Sequence, residues 1–485
     1  MEGKAMMAMG PLRVGTTSLY DPRLKYVGLS LVLTWHYCLW FVPSAFPWAR
    51  LLDTRVTYSW LLALFSFGVT CAVQVFRSAS SGHLQLTPGN IVTTGVVSSA
   101  ATILVECAGI SWIPFWATLA SALVVGVSGA MLWVWWGECL YQQNAHFSLR
   151  HVGVVHGLVM LGGVGTVSLL NPWAAASVTA LIPLICSLLL NGWAHRLPAA
   201  PPPRKLPSET ASQGNRARLT VLAISFLGSF VCYYTVAIVP WSAFDDISPA
   251  YEQGVLLGAT LLLVLALLQQ YVWPANSEFR IYPWLLWFVI VACLLCLADQ
   301  RGQAPAFLVA VAVTSLFEIF LTMYTGVLAW RGYTTGASAF GLSGAAIRLG
   351  IAGGDATAIA YEHLPRWHDV LVAPTFAVMV AGLVGALMTL VRQEYVIEEL
   401  TRKPQTLSER DVLVMQIAEE FKLSTREREV MMLLGHGYTA SAAAEKLVLS
   451  PHTVNTHIQH IYAKLGIHKR SQLIAYLDKP MDHHP

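Results

Sequence analysis

The residues with the clearest chemical pattern lie on a predicted helix near the C-terminus, over residues 451–465. Asn455, Thr456 and Gln459 share one face of it. The amide side chains of asparagine and glutamine pair with adenine edges in a DNA major groove. Five polar or basic residues at the ends of this helix, or just beyond, would contact backbone phosphates: Ser450, Thr453, Lys464, Lys469 and Arg470. The opposite face is apolar and would pack on neighbouring helices: Val454, Ile458, Ile461 and Leu465.

A second set of chemically active residues lies inside strongly apolar segments, where an ionisable side chain is costly and marks a candidate site. Four such residues would line a cavity: Glu106, Glu318, Arg348 and Asp355. Five aromatic residues would supply its apolar surface: Trp35, Tyr37, Trp40, Tyr233 and Tyr234. All of them except Trp40 complete the set of ligand-binding candidates. An acid-lined cavity suits an amine, and Arg348 suits a carboxylate. A second interpretation stays open, in which Arg348 pairs with Asp355 or Glu318 only to hold helices together.

Other patterns argue against catalysis and against metal binding. The sequence contains no phosphate-binding loop, nucleophile elbow or kinase signature, and its histidines do not converge at metal-ligand spacing. Cys293 and Cys296 form a CxxC inside an apolar helix, where packing is the expected role. His36 and His156 are expected to form ordinary hydrogen bonds between helices. We therefore expect no enzyme activity, no cofactor and no metal site.

Composition shows which elements carry these residues. Of 485 residues, 55% are hydrophobic and 12% are charged, against about 25% charged in a soluble domain, so a purely soluble protein is excluded. Twelve apolar runs are each near the ~20 residues that a helix needs to cross a bilayer. They cover 26–42, 58–76, 90–110, 112–135, 151–171, 173–191, 219–241, 252–272, 281–298, 305–330, 337–360 and 369–391. The first run is read as a retained span rather than a signal peptide.

A proline-rich and basic segment, residues 195–218, divides the twelve spans into six plus six. The predicted order is an N-terminal segment (1–25), a first membrane half (26–194), this linker and a second half (219–391). Such an architecture resembles the major facilitator family. The loop from Arg77 to Leu84, however, lacks the aspartate of that family's signature, and its absence disfavours transport.

The distribution of Lys and Arg predicts the orientation. With the N-terminus inside, the cytoplasmic segments hold sixteen of these residues and the outer loops hold four: Arg50, Arg55, Arg301 and Arg366. Positive residues favour the cytoplasmic side of a bilayer. We therefore expect a multi-pass protein of the bacterial cytoplasmic membrane with both termini in the cytoplasm.

The polar tail begins after residue 391. Residues 392–422 are expected to be a linker with an amphipathic helix, and residues 423–480 to form a compact domain of four short helices, the first capped by Thr425. Its characteristic segments are 423–430, 437–439, 443–447, 449–454, 457, 461, 464–466 and 470. These segments resemble the LuxR/FixJ-type helix-turn-helix domain. The resemblance implies base contacts from Asn455, Thr456 and Gln459.

The whole sequence therefore predicts an all-α chain, with a polytopic, major-facilitator-like bundle of six plus six helices and a C-terminal, cytoplasmic LuxR-type domain. The expected function is that of a one-component transcriptional regulator that senses a small molecule through the bundle. Its expected partners are double-stranded promoter DNA, an unknown ligand, the bilayer, a second copy of the chain on DNA and potentially RNA polymerase. The alternatives are a transporter with a regulatory or vestigial tail, and a membrane anchor that binds nothing.

Overall fold

The structure, a computed structural model, describes most of the chain in helical segments. These segments are 25–48, 54–81, 86–143, 145, 147–195, 208–239, 248–272, 278–298, 300–364, 368–401, 409–435, 438–447, 449–469 and 472–473. Across these residues the chain forms α-helices and short 3-10 or π turns, without a β-strand. It divides into two compact units, Met1–Thr401 and Arg402–Pro485. The predicted all-α fold is confirmed.

Twelve helices form the described part of the first unit, one for each predicted span. They are α1 (Val27–Phe41), α2 (Thr54–Ser81), α3 (Pro88–Glu106), α4 (Phe115–Gln142), α5 (Val154–Leu169), α6 (Pro172–Ala194), α7 (Ser208–Ile238), α8 (Ser248–Tyr271), α9 (Tyr282–Ala298), α10 (Gln300–Trp330), α11 (Gly336–Glu362) and α12 (His368–Thr401). Within the described residues, nine of the twelve are long and apolar enough to cross a membrane. Helices α1 and α9 are apolar but shorter. The third exception, α11, carries Arg348 and Asp355 among its glycines.

Two helices extend ten or more residues beyond the predicted boundaries. Helix α7 begins at Ser208, about three turns before the predicted span, because residues 208–218 contain no proline to stop it. Helix α12 continues to Thr401, ten residues past the predicted end of the last span. The predicted linkers are therefore partly helical. A hydropathy pattern marks the apolar part of a helix that contacts lipid, and it does not mark the ends of the helix. Residues 1–24 and 196–207, which belong to the predicted N-terminal segment and linker, lie outside the described residues.

Contacts between the first six and last six helices hold the membrane unit together. Helix α2 packs on α11, and α5 packs on α8. The end of α4 adds two hydrogen bonds to the backbone of α11. Glu138 accepts from the Ala337 amide at 2.7 Å, and the Trp133 indole donates to the Phe340 carbonyl at 2.9 Å. Both side chains are buried, so these polar contacts are made away from solvent.

Glycines on α11 allow two neighbouring helices to approach it closely. A Cβ at Gly350 would lie 2.6 Å from the Phe226 carbonyl oxygen of α7, and one at Gly354 would lie 2.1 Å from the Phe230 carbonyl oxygen. These distances are shorter than any real contact, and small residues four apart are the usual means of close helix approach in a membrane. Only glycine therefore fits at these two positions.

The second unit is a small helical domain with its own core. Its helices are α13 (Glu409–Glu420), α14 (Thr425–Gly435), α15 (Ala440–Leu447) and α16 (Pro451–Leu465). Helix α13 matches the predicted amphipathic helix and packs on α14. The central core residues come from all four helices: Val414, Ile417, Val430, Met431, Leu434, Ala443, Ala444, Val454, Ile458, Ile461 and Leu465. Most of the predicted fourth helix of the domain, over 471–477, lies outside the described residues.

Candidate functional site

Helix α16 is firmly defined at both ends. The Ser450 hydroxyl accepts from the Thr453 amide at 3.0 Å, and Pro451 follows at the first helical position. Both features are strong helix starts, because a capping oxygen satisfies a free amide and proline needs no donor partner there. The helix ends at Gly466, whose φ of 65° is a left-handed conformation that glycine adopts without strain.

The two faces of α16 have opposite character. Val454, Ile458, Ile461 and Leu465 are buried against the domain, as predicted. Asn455, Thr456 and Gln459 are exposed on the other side. The Thr456 hydroxyl donates to the His452 carbonyl at 3.1 Å, which leaves its oxygen free to accept. The exposed face therefore presents two amides and a hydroxyl.

Helix α15 packs directly on α16 through two small residues. Ala443 and Ala444 are buried in the shared core, and their methyl groups allow a short distance between the helices. Two helices joined by a short turn, the second with an exposed polar face, make a helix-turn-helix. The arrangement can place α16 in a major groove while α15 lies above it.

The residues predicted to contact phosphates have different environments. Ser450 and Lys469 are exposed, and Thr453 is partly buried beside the Ser450 hydroxyl at 2.7 Å. Lys464 forms an ion pair of 2.6 Å with Glu427 of α14, and its ammonium also donates to the Lys422 carbonyl at 3.2 Å. Arg470 lies outside the described residues. Lys464 thus has a structural partner in addition to its predicted role.

Glu427 links the start of α14 to α16. Its carboxylate accepts from the Ser424 amide at 2.7 Å, and the Ser424 hydroxyl accepts from the Glu427 amide at 3.3 Å. This reciprocal pair is a capping box, so the predicted cap at Thr425 is wrong by one residue. Burial raises the pKa of the Glu427 carboxyl, but hydrogen bonds from Lys464 and Ser424 outweigh burial and lower this pKa to about 2. The carboxylate is therefore charged at any physiological pH.

A second candidate site is a cleft in the membrane unit, between the first six and last six helices. It contains about 370 Å³ of empty space, part of it open to the outside. Helices α1, α2, α7 and α11 form its wall. The lining residues are His36, Tyr37, Trp40, Phe41, Trp60, Ala63, Leu64, Phe67, Tyr233, Arg348 and Ile351. We call this space the intramembrane cleft.

An ion pair lies at the wall of the intramembrane cleft. The Arg348 guanidinium is 2.6 Å from one carboxylate oxygen of Glu318, and the Tyr37 hydroxyl donates to the other oxygen at 3.0 Å. The Arg348 guanidinium also lies 5.0 Å from the centre of the Phe67 ring, which is a cation–π distance. Of the two partners that the sequence allowed for Arg348, the structure pairs it with Glu318.

The structure brings together some of the predicted ligand-binding residues. Tyr37, Tyr233 and Arg348 line the cleft, and Glu318 lies beside it. Asp355 is buried nearby, within hydrogen-bonding reach of Trp60.

Three predicted ligand-binding residues lie elsewhere. Trp35 donates to Thr102 of α3 at 3.1 Å, Tyr234 packs on Phe376 of α12, and Glu106 is buried near the end of α3. None of the three is among the residues that line the cleft, so the geometry of the cleft does not support their predicted ligand role.

Two further residues of α1, His36 and Trp40, line the cleft, and Trp40 was expected only to supply apolar surface. The Nδ1 of His36 donates to the Val32 carbonyl of its own helix at 2.9 Å, rather than to another helix as expected. The His36 Nε2 and the Trp40 Nε1 are both buried without a hydrogen-bond partner among the described residues. A polar residue inside a span is a visible signal in the sequence, but its lack of a partner is a property of the fold.

The comparisons with known proteins define the class of the second unit. Residues 422–477 match the family model for bacterial regulatory proteins of the luxR family. The C-terminal unit is therefore a LuxR-type helix-turn-helix domain, and this multi-pass membrane protein carries a DNA-binding domain of transcription regulators.

Individual relatives match the same short region. Over 53 residues the chain is 43% identical to "Probable transcriptional regulatory protein NarL" of Mycobacterium tuberculosis, which covers 11% of this chain and 24% of that protein. Over 60 residues it is 42% identical to oxygen regulatory protein NreC of Staphylococcus aureus, covering 12% of this chain and 28% of that protein. The chain thus spans less than a third of the length of these curated relatives.

Two solved structures are similar to about three quarters of the chain at low identity. The human organic anion transporter MFSD10 (TETRAN) gives a TM-score of 0.46 at 14% identity, covering 79% of this chain and 100% of that one. A mutant of the nucleoside transporter NupG gives a TM-score of 0.47 at 12% identity, covering 76% of this chain and 99% of that one.

Proposed function

We propose that this protein is a membrane-embedded, one-component transcriptional regulator. A small molecule binds in the intramembrane cleft, and its binding changes the affinity of α16 for promoter DNA. The observation that carries the proposal is the presence, on one chain, of an exposed recognition-helix face and of a buried cleft with polar groups in its wall. The ligand must bind one conformation of the membrane unit better than another, because otherwise no signal is transmitted.

The DNA end of the mechanism uses the exposed face of α16. Asn455 and Gln459 would read base edges with their amides, and Thr456 would add a hydroxyl contact. Ser450, Thr453, Lys464, Lys469 and Arg470 would hold the phosphates on either side. DNA-binding domains of this class act as dimers on paired half-sites, and a membrane tether would raise the local concentration of two copies.

The sensing end uses the polar groups of the cleft. Arg348 and Glu318 are costly inside a bilayer, and their contact with Tyr37 ties α11, α10 and α1 together at the cleft. A ligand that rearranges these contacts would shift the packing of three helices at once. A coupling of about 1–3 kcal/mol would change DNA affinity some 5- to 150-fold.

Chromatin capture with the full-length protein in its native cells tests the DNA end of the proposal. We expect sharp promoter peaks for the wild type and their loss for Asn455→Ala or Gln459→Ala, since each lost bidentate contact costs about 1–3 kcal/mol of base discrimination. Glu429→Ala, which removes a partly exposed carboxylate of α14 outside the recognition helix, is the matched control and should keep the peaks. Unchanged promoter selectivity in both α16 variants would contradict the recognition-helix assignment.

A transporter is the second candidate, because the cleft lies between two sets of six helices and has a buried ion pair in its wall. Flux of labelled solutes into proteoliposomes separates the two functions. Flux that is lost in Glu318→Gln would support transport. Ligand-dependent promoter occupancy without flux supports the regulator.

A further inference from the structure

Two polar side chains in the wall of the intramembrane cleft have unused hydrogen-bonding groups. Arg348 and Tyr233 both line the cleft, and they are 5% and 3% exposed. The ion pair with Glu318 involves Nη2 of Arg348, and neither Nε nor Nη1 has a hydrogen-bond partner in the described part of the chain. The Tyr233 hydroxyl has no such partner among the described residues either.

These groups are accessible from the cleft. Neither the Arg348 nitrogens nor the Tyr233 hydroxyl belongs to the enclosed polar atoms without a partner, unlike Nε2 of His36 and Nε1 of Trp40. The Arg348 guanidinium lies 5.0 Å from the centre of the Phe67 ring, and Phe67 also lines the cleft. The guanidinium and the Tyr233 hydroxyl are close enough for an electrostatic interaction. The unused donors are therefore neighbours at one position in the wall.

The carboxylates near the cleft are already occupied. One oxygen of Glu318 contacts Arg348 at 2.6 Å, and the other accepts from the Tyr37 hydroxyl at 3.0 Å. Asp355 is within hydrogen-bonding reach of Trp60. Neither Glu318 nor Asp355 lines the cleft, and no other carboxylate does among the described residues. A cation in the cleft would thus meet no free carboxylate, whereas an anion would meet free donors.

A carboxylate fits this set of donors. A guanidinium carries five N–H groups in a planar fork and can therefore pair with two carboxylates through different nitrogens. A phenolic hydroxyl supplies a further donor.

The rest of the wall suits an aromatic ring. The ring centroids of Phe41 and Trp60 are 5.3 Å apart, and those of Trp60 and Tyr233 are 6.2 Å apart. Aromatic side chains at such distances form an apolar surface on which a flat ring packs, with a few polar groups to fix its orientation.

We propose that the intramembrane cleft binds an aromatic monocarboxylate. The carboxylate accepts from Nε or Nη1 of Arg348 and from the Tyr233 hydroxyl, while the ring packs against Phe41 and Trp60. The bound anion shares the guanidinium with Glu318, and repulsion between the two carboxylates weakens the contact that joins α11 to α10. The proposal deepens the regulatory function proposed above and rests on it only for the consequence of binding at the promoter.

Three isosteric probes test the charge of the ligand by isothermal titration of the full-length protein in nanodiscs, with empty nanodiscs as the blank. They are 4-ethylbenzoate (an anion), 4-ethylbenzamide (neutral) and 4-ethylbenzamidine (a cation), which differ only in the planar group on the ring. We expect the benzoate to bind about tenfold or more tightly than either analogue, because hydrogen bonds to a charged group are the stronger ones.

Glu318→Gln separates this site from a cation site. The substitution removes the competing carboxylate and leaves the Arg348 charge without compensation inside the membrane, so the benzoate should bind more tightly than to wild type, by about tenfold. A site for cations would respond in the opposite direction, because its only nearby anion would be lost. Combining Glu318→Gln with Arg348→Gln removes both charges together and should abolish the preference for the benzoate over the benzamide.

Tyr233→Phe removes only a hydroxyl and should weaken the benzoate about fivefold to tenfold. Tyr234→Phe is its matched control. The Tyr234 hydroxyl is also buried without a partner among the described residues, but Tyr234 does not line the cleft. The control should therefore leave affinity unchanged. Thermal unfolding of every variant shows which of them fold, and Tyr233→Phe tests the site if the charge variants do not.

Several outcomes would overturn the proposal: no saturable binding of the benzoate at millimolar concentration, equal or tighter binding of the benzamide or the benzamidine, weaker benzoate binding in Glu318→Gln, or equal weakening by Tyr233→Phe and Tyr234→Phe. Promoter occupancy is measured separately. Benzoate binding that depends on Tyr233 but leaves occupancy unchanged upholds the ligand class and contradicts the regulatory function. An occupancy response to the benzoate that survives Tyr233→Phe and the double substitution upholds the function and contradicts this site.

Discussion

Individual charged residues hold the recognition helix in place. Glu427 accepts from Ser424 within the α14 capping box and from Lys464 of α16, so one buried carboxylate fixes the relative position of two helices. A partly exposed lysine that satisfies such a carboxylate contributes more than an ordinary surface pair, because removing it leaves a buried charge alone.

The Glu427 carboxylate makes the stability of this domain depend on pH. Its pKa is lowered from 4.5 to about 2 in the fold, so its stabilising effect is complete above about pH 4.5 and is lost as the pH falls through about 2. Glu427→Gln should therefore increase hydrogen–deuterium exchange of peptides from α14 and α16 at neutral pH, and its difference from wild type should shrink towards pH 2. Glu429→Gln, in an exposed pair with Arg426, is the control and should change little. A difference that persists unchanged at pH 2 would contradict this role.

Lys464 and Lys469 should differ when each is replaced by alanine. Both changes should weaken binding to all DNA sequences alike, as expected for phosphate contacts, and Lys469→Ala should reduce the salt slope by about 1. Only Lys464→Ala should also destabilise the domain, since it leaves Glu427 unpaired. Filter binding over a salt series and exchange of the α14 peptides measure the two effects. A sequence-dependent loss for Lys464→Ala would contradict its phosphate role.

For individual residues, the sequence predicts which side chains are buried or exposed better than it predicts which residues pair with each other. The exposed face of α16 follows from helical periodicity, because the apolar residues must be buried and the polar ones are then left outside. The pairing of Arg348 with Glu318 joins residues 30 positions apart on different helices, and the sequence left two partners open. The Lys464–Glu427 pair and the unpaired nitrogens of His36 and Trp40 depend on how the helices pack against one another. The spacing of residues along a single helix does not predict that packing.

Among the elements, α11 is the one whose sequence most constrains its neighbours. It contacts α7 through Gly350 and Gly354, and α2 through Gly341, whose Cβ would lie 2.6 Å from a Val75 methyl carbon. The glycine content of α11 predicted that other helices approach it closely. The structure shows which neighbouring atoms a side chain at each of these three positions would meet.

Gly354→Ala tests the close approach of α11 and α7. The added Cβ meets the backbone of α7 rather than a mobile side chain, so the helices must separate and the free energy of unfolding should fall by about 1–3 kcal/mol. Gly162→Ala on α5 is the matched control, because nothing lies within 4 Å of its added Cβ. The control should be neutral or stabilising by up to about 1 kcal/mol. Thermal unfolding in detergent compares the two, and equal midpoints would contradict the contact.

Element boundaries were less predictable than element existence. All twelve membrane helices and three of the four predicted helices of the LuxR-type domain coincide with helices of the structure, because each carries a strong apolar period or a cap. The ends of α7 and α12 were missed, since polar helix-forming residues continue a helix beyond lipid without any hydropathy signal.

For the whole molecule, the charge distribution and the family match together set the expected topology. The excess of Lys and Arg on one side of the predicted spans favours a cytoplasmic LuxR-type domain, where DNA is accessible. A reporter enzyme that is active only in the cytoplasm, fused after residue 485, should be active, and one inserted at Arg366, in a predicted outer loop, should be inactive. The reverse pattern would contradict both the orientation and the regulatory function.

The hydrogen bonds from α4 to α11 have a consequence for how the membrane unit assembles. Glu138 and Trp133 hold the backbone of α11 directly, and α2 and α5 pack on the second set of helices, so covalent continuity through residues 196–207 is not what joins the two sets. Fragments 1–200 and 201–485, produced as separate polypeptides in one cell, should therefore associate in the bilayer and copurify through a tag on either one. Glu138→Ala should reduce the recovered complex, and the protein would then be a case of fragment complementation within a membrane.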